Sequence, residues 1–160
     1  MATAFKNLSE FNSLPQGNFS GMKVGVVVAE WNKEITEKLL KGALDALKKY
    51  GVWDNNVEVY TVPGSYELTF GSHVLAQASS IDGVIALGCV IKGETKHDEY
   101  ICNAVAQGLT NVSLQQNKPT IFGLLTTNTM QQAKDRSGGK HGNKGEEAAV
   151  TLLKMLEYKL

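Results

Sequence analysis

The sequence predicts a three-layer α/β/α sandwich around a four-stranded parallel sheet, and three observations carry that expectation. The run Gly83-Val84-Ile85-Ala86-Leu87-Gly88-Cys89-Val90-Ile91 has no polar alternation, the pattern of a strand buried on both faces. Met22 to Ala29 (MKVGVVVA) is a second nearly continuous apolar run. Finally, strand-like and helix-like patterns alternate along the chain. Parallel strands need covered, right-handed return crossovers, which places helices on both sheet faces.

Residues 1–21 carry Pro15, Gly17, Gly21 and scattered Asn and Ser, and read as an N-terminal arm ahead of a single domain over 22–160. Phe5, Leu8, Phe11 and Leu14 give the arm apolar points that a neighbouring subunit could cover. After the first strand, Asn32 is a fair N-cap for a helix with Ile35, Leu39, Leu40, Ala43, Leu44, Leu47 and Tyr50 on one face, closed by Gly51. Val57 to Val62 is the second strand, stopped by Pro63-Gly64, and Ser65-Tyr66-Glu67-Leu68 opens a helix to about Ala78. The Gly83–Ile91 strand leads through Lys92-Gly93-Glu94-Thr95-Lys96-His97-Asp98-Glu99 into a helix running to about Gln116. Pro119 to Leu125 is the fourth strand, in a flavodoxin-like order 2-1-3-4. Asn128 caps a short helix, Ser137 to Gly145 reads as a glycine-rich mobile segment, and Glu146 to Tyr158 is the last amphipathic helix.

With 160 residues, 42% of them hydrophobic and 20% charged, the chain is long enough for one well-packed core. Sixteen basic and sixteen acidic residues cancel, so polyanion binding by bulk charge, and with it nucleic acid, is disfavoured. The longest apolar run falls well short of the roughly 18 residues that span a bilayer, and the N-terminus lacks the apolar core of a signal peptide. No membrane partner and a cytoplasmic location are therefore expected, which makes the sequons at Asn7, Asn18 and Asn111 chance matches. Cys89 and Cys102 suit reduced packing positions. His73, His97 and His141 show no metal-ligand spacing, so no metal site is expected.

Ligands of such sheets bind beyond the carboxyl ends of the strands. Trp31-Asn32, Gly64 to Glu67, Cys89 to His97 and Thr126 to Asn128 should share that rim. The turn before the third helix offers free N–H groups and the positive end of a helix dipole, a setting for phosphate in which Gly93 and Thr95 fit. His97 carries the one side chain there whose ordinary pKa lies near neutrality. Trp31 could stack on a planar ring. Ser65, Tyr66 and Glu67 suit a polyol or heterocycle, and Arg136 could clamp a phosphate. Taken singly, each has a plainer reading: a packed aromatic, a capping turn, a capping histidine, a surface arginine. The segment GGKHGNKG has the composition of a phosphate loop but matches neither GxxxxGK[ST] nor GxGxxG.

Together these pieces resemble the lumazine synthase family over about Lys23 to Leu156. The match runs through EWN at 30–32, VPGSYEL at 62–68, GCVIKGETKHDEY at 88–100, IFGLLTT at 121–127, QAKDRSG at 132–138 and GNKG at 142–145. Their order and spacing carry it, not any one motif. The resemblance implies condensation of 5-amino-6-(D-ribitylamino)uracil with 3,4-dihydroxy-2-butanone 4-phosphate, the penultimate step of riboflavin synthesis, with no cofactor and no metal. Carried over by position, it puts Trp31 on the pyrimidine and Ser65, Tyr66 and Glu67 on the ribityl chain, with Cys89, Val90 and Ile91 lining the ring pocket. Glu94, Thr95 and Arg136 take the phosphate, His97 shuttles protons, and Phe122 completes the pyrimidine pocket from a neighbouring subunit. Asn32 and Lys144 are further candidates.

The departures are Trp31 where phenylalanine is common, Asn128 where glutamate is common and Ser137 where alanine is usual; none removes a named role. The resemblance also implies a homo-oligomer with sites between adjacent subunits: a pentamer, and, since Arg136 to Gly145 is short, an icosahedral shell of sixty subunits. Two competing readings are a noncatalytic shell or flavin-binding paralogue, disfavoured by His97 and Arg136 together, and a receiver-type signalling domain, which lacks its aspartate cluster.

Overall fold

A computed structural model describes residues 10–11 and 13–159 of the chain. Strands β1 (Val24–Ala29), β2 (Val57–Val62), β3 (Gly83–Ile91) and β4 (Thr120–Thr127) form one parallel sheet in the order β2-β1-β3-β4. Helices α1 (Lys33–Lys49), α4 (Met130–Arg136) and α5 (Lys144–Leu156) pack on one face, and α2 (Leu68–Gln77) and α3 (His97–Gln116) on the other.

The apolar runs of β1 and β3 have no polar alternation because both of their faces are core. Val24, Val26, Val28, Ile85, Leu87 and Cys89 join the cluster under α1 and α5. The alternating residues Val27, Ala29, Val84, Ala86 and Val90 join the cluster under α2 and α3. β2 is an edge strand and largely exposed. Phe19 is buried in the first cluster, so the chain is anchored ahead of β1. Before it, the backbone N–H groups of Gln16 and Gly17 donate to Glu157, and Lys154 donates to Ser13. Phe5 and Leu8 lie outside the described residues; Phe11 is half-buried and Leu14 exposed.

Several local expectations are corrected. The segment read as mobile, Ser137 to Gly145, is an antiparallel hairpin of β5 (Ser137–Gly139) and β6 (Gly142–Asn143) leading straight into α5. Its glycines supply turn geometry, with φ of 111° at Gly138 and 80° at Gly142. The hairpin is tied down by Asn143 Nδ2 donating to the Lys38 carbonyl at 2.9 Å and by His141 N donating to that of Asp135. Thr129, not Asn128, caps α4, its hydroxyl accepting from Gln132 N. Asn32 stands at the N-cap of α1 but makes no side-chain cap bond. α2 starts at Leu68 rather than Ser65, and β4 runs on to Thr127 because its pairing with β3 continues to Ile91.

Candidate active site at the carboxyl edge of the sheet

The register of the sheet creates the site. β1 pairs with β3 only as far as Val28 opposite Leu87, whereas β3 and β4 stay paired to Ile91 opposite Thr127. The last residues of β3 therefore overhang the end of β1 and form the wall of a cleft of about 620 Å3. The cleft is lined by Trp31 and Asn32, by Pro63 to Glu67, by Cys89 to Ile91, and by Gly93, Thr95, His97, Asp98 and Ile101. Three segments far apart in sequence, 31–32, 63–67 and 89–101, meet there, as expected for ligands beyond the strand ends.

Backbone chemistry fixes the mouth. Asn32 adopts a left-handed conformation (φ 60°), one that asparagine tolerates better than most residues. Its amide Nδ2 donates to the Cys89 carbonyl at 2.9 Å, so it braces the loop after β1 against the overhanging end of β3. Glu30 N and Trp31 N donate to the carbonyls of Val62 and Pro63. Held in this way, Trp31 stays 72% exposed at the rim, and Tyr66, also in the lining, is 61% exposed. A large aromatic on a braced backbone, unburied by its own chain, is suited to stacking on a flat ligand.

The lining is mixed, apolar at Cys89, Val90, Ile91 and Ile101 and polar at Ser65, Glu67, Thr95, His97 and Asp98. Cys89 is buried, and burial pushes its thiol up to about 12, so it lines the pocket as a neutral packing group and not as a thiolate. Cys102, half-buried on α3, is also raised, by burial first and by the nearby Asp98 charge second. Two side-chain oxygens in the cleft lining, Ser65 Oγ and Asp98 Oδ1, are buried without a hydrogen-bond partner among the described residues. Gly93, Thr95 and Lys96 precede α3, whose first residue is His97; Asp98 and Glu99 share its first turn.

Phe122, Arg136, Lys144 and Glu94 do not line this cleft. Phe122 faces Ala86 in the register while Leu125 faces Cys89, so it lies three residues, about 10 Å, back from the rim. It packs against the α2/α3 cluster. Glu94 is exposed on the turn. Arg136 ends α4 half-buried, with Nη1 donating to the Gln132 carbonyl at 3.1 Å, and it makes no ion pair among the described residues. Lys144, by contrast, is engaged with the buried Glu147 at 2.6 Å. Asp98 went unremarked in the sequence because its neighbours are all polar; only the fold shows it to be the half-buried one. No group of three or more His, Cys, Asp or Glu among the described residues is arranged to hold a metal ion.

The family model for 6,7-dimethyl-8-ribityllumazine synthase matches residues 21–159. The chain belongs to that family. Among curated relatives carrying the same name, one from Parabacteroides distasonis is 57% identical over 160 residues, covering 99% of each chain. One from Phocaeicola vulgatus is 52% identical, covering 99% of this chain and 95% of its own, and one from Cytophaga hutchinsonii is 54% identical, covering 98% of each. The sheet order and three-layer architecture agree with the family fold. The family reaction is the activity of this enzyme of riboflavin biosynthesis: condensation of 5-amino-6-(D-ribitylamino)uracil with 3,4-dihydroxy-2-butanone 4-phosphate to 6,7-dimethyl-8-ribityllumazine, phosphate and water.

Proposed function

We propose that this lumazine-forming reaction runs in the cleft at the carboxyl edge of the sheet, completed by groups from an adjacent subunit. The pyrimidine stacks on Trp31 against Cys89, Val90 and Ile91. Ser65, Tyr66 and Glu67 hold the ribityl chain, for which the unpartnered Ser65 hydroxyl is a ready donor and acceptor. The phosphate lies at the turn of Glu94 and Thr95, where N–H groups before α3 favour an anion. His97 takes up and returns protons as amine adds to carbonyl, the imine forms with loss of water, phosphate leaves and the ring closes with loss of a second water. Asn32 positions Trp31, and Lys144 supports the region from its pair with Glu147.

The observation that carries the shared site is the division of residues: one chain's cleft gathers Trp31, Ser65, Glu67, Cys89, Thr95 and His97 and leaves out Phe122 and Arg136. Arg136, which pairs with no carboxylate among the described residues, is available to a phosphate bound by the next subunit. Exposed apolar side chains supply the contact surface, with Phe70 (73% exposed) and Val74 one turn apart on α2, Leu114 (76%) on α3, and Val59 and Tyr60 on the open edge β2. Closed rings satisfy such surfaces, which supports a pentamer, and the short hairpin after Arg136 supports assembly to a sixty-subunit shell. No helix among the described residues is long and apolar enough to cross a membrane. The polar substrates and free thiols support action in the cytoplasm.

Both substrates are intrinsically reactive, so holding amine against carbonyl supplies much of the rate. Arg136→Ala, which releases the phosphate anchor, is expected to lower steady-state lumazine formation more than His97→Ala, whose proton transfer buffer and water partly replace. The reverse ranking in an absorbance assay would refute this division of roles.

A further inference from the structure

We propose that Asp98 is a substrate-contacting residue that selects the donor-rich aminopyrimidine over the phosphorylated substrate on its side of the cleft. This rests on the assignment of the cleft to the two substrates made above. In the polar stretch from Lys92 to Glu99, every side chain is exposed except that of Asp98, which is half-buried and lines the cleft. Its Oδ1 is shielded from water yet has no hydrogen-bond partner, and no ion pair engages the carboxylate among the described residues.

An acceptor stripped of solvent and left without a donor is costly to keep in a folded chain. The cost is recovered where the side chain turns this oxygen out to a donor that a bound ligand brings. An ionised carboxylate only accepts hydrogen bonds, and the two substrates differ in what they offer. The aminopyrimidine carries ring and amino N–H groups and ribityl hydroxyls, whereas the butanone phosphate brings an anion that the carboxylate repels. Position agrees with this division. Asp98 and Ile101, one turn apart on α3, both line the cleft, and Ile101 packs with Val90 in the cluster under α2 and α3. Oδ1 is closed off in this side-chain setting, and rotation about Cα–Cβ is the motion that turns it toward the cleft. Asp98 thus acts as a local filter, admitting N–H and O–H groups at the ring side and turning phosphate toward the N–H groups of the 93–95 turn.

The test is steady-state kinetics on the assembled wild-type enzyme and on Asp98→Asn and Asp98→Glu, varying each substrate in turn, with thermal unfolding alongside. Asp98→Asn keeps the shape and removes the charge. It should raise KM for the aminopyrimidine about tenfold or more, the loss expected of a charge-assisted hydrogen bond. KM for the butanone phosphate should be unchanged or lower, kcat should move little, and Asp98→Glu should recover part of the affinity. Unchanged KM values with a raised unfolding temperature would mark Asp98 as a structural orphan and overturn the proposal, as would a KM increase confined to the phosphate substrate. Lack of lumazine formation by the wild type would instead overturn the assignment of the cleft, and this inference with it.

Discussion

If each site joins His97 of one subunit to Arg136 of the next, two crippled variants should rescue each other. A His97→Ala subunit retains Arg136, and an Arg136→Ala subunit retains His97. In an oligomer assembled from equal amounts of both, an interface is intact only when the cleft side comes from the second variant and the arginine side from the first. With random assembly that holds at about one interface in four, so the mixed oligomer should regain about a quarter of wild-type turnover. The structural basis is that the cleft of one chain contains His97 and leaves out Arg136. The assay is lumazine absorbance after the two variants are denatured together and refolded. The same variants refolded separately and then combined serve as the control, and should show only the mean of the parents. If co-refolded material also stays at that mean while its assembly state is normal, both groups serve one subunit's site and the shared-site reasoning fails.

Two further outcomes probe the scaffold. A Cβ at Gly145 would sit 1.9 Å from the Leu39 carbonyl oxygen, backbone against backbone, so Gly145→Ala must push α5 from α1. It should cost about 2–3 kcal/mol in denaturant unfolding, by the usual cost of overpacking, whereas Gly21→Ala, with open space around it, should be neutral; equal midpoints for the two would refute the close approach. The Cys89 thiol, raised by burial from 9.0 to about 12, is protonated in folded and unfolded chains alike below pH 9 and adds no pH dependence there. Above pH 9 the unfolded chain loses its proton first, so stability should fall between pH 9 and 12. Cys89→Ala should flatten that part of the profile, and an unaltered slope would show that the thiol is not the group responsible.

Most of the scaffold was legible because burial leaves a direct mark on composition. β1 and β3 are apolar at every step since both faces are covered, and α1 shows its apolar face at helical spacing. Capping was less legible, because Asn32 and Asn128 both qualify locally and the choice was made elsewhere. Asn32 spends its amide on Cys89, 57 residues away, and Thr129 takes the cap of α4. The glycine-rich segment after Arg136 has no periodicity to read. Its order comes from bonds to Lys38 and Asp135 that exist only once α1 and α4 are in place.

The amino-acid order by itself determined the layered α/β architecture, the strand ends that carry polar residues, and through its motifs the family. What only the tertiary structure decided is which of those polar residues stand together. The register that lets β3 overhang β1 gathers Trp31, Ser65, Cys89 and His97 at one mouth, leaves Arg136 and Phe122 outside it, and half-buries Asp98 alone among its polar neighbours. Local pattern records whether a side chain prefers water or core; it holds no distances between segments sixty residues apart, which packing of the whole sheet alone sets.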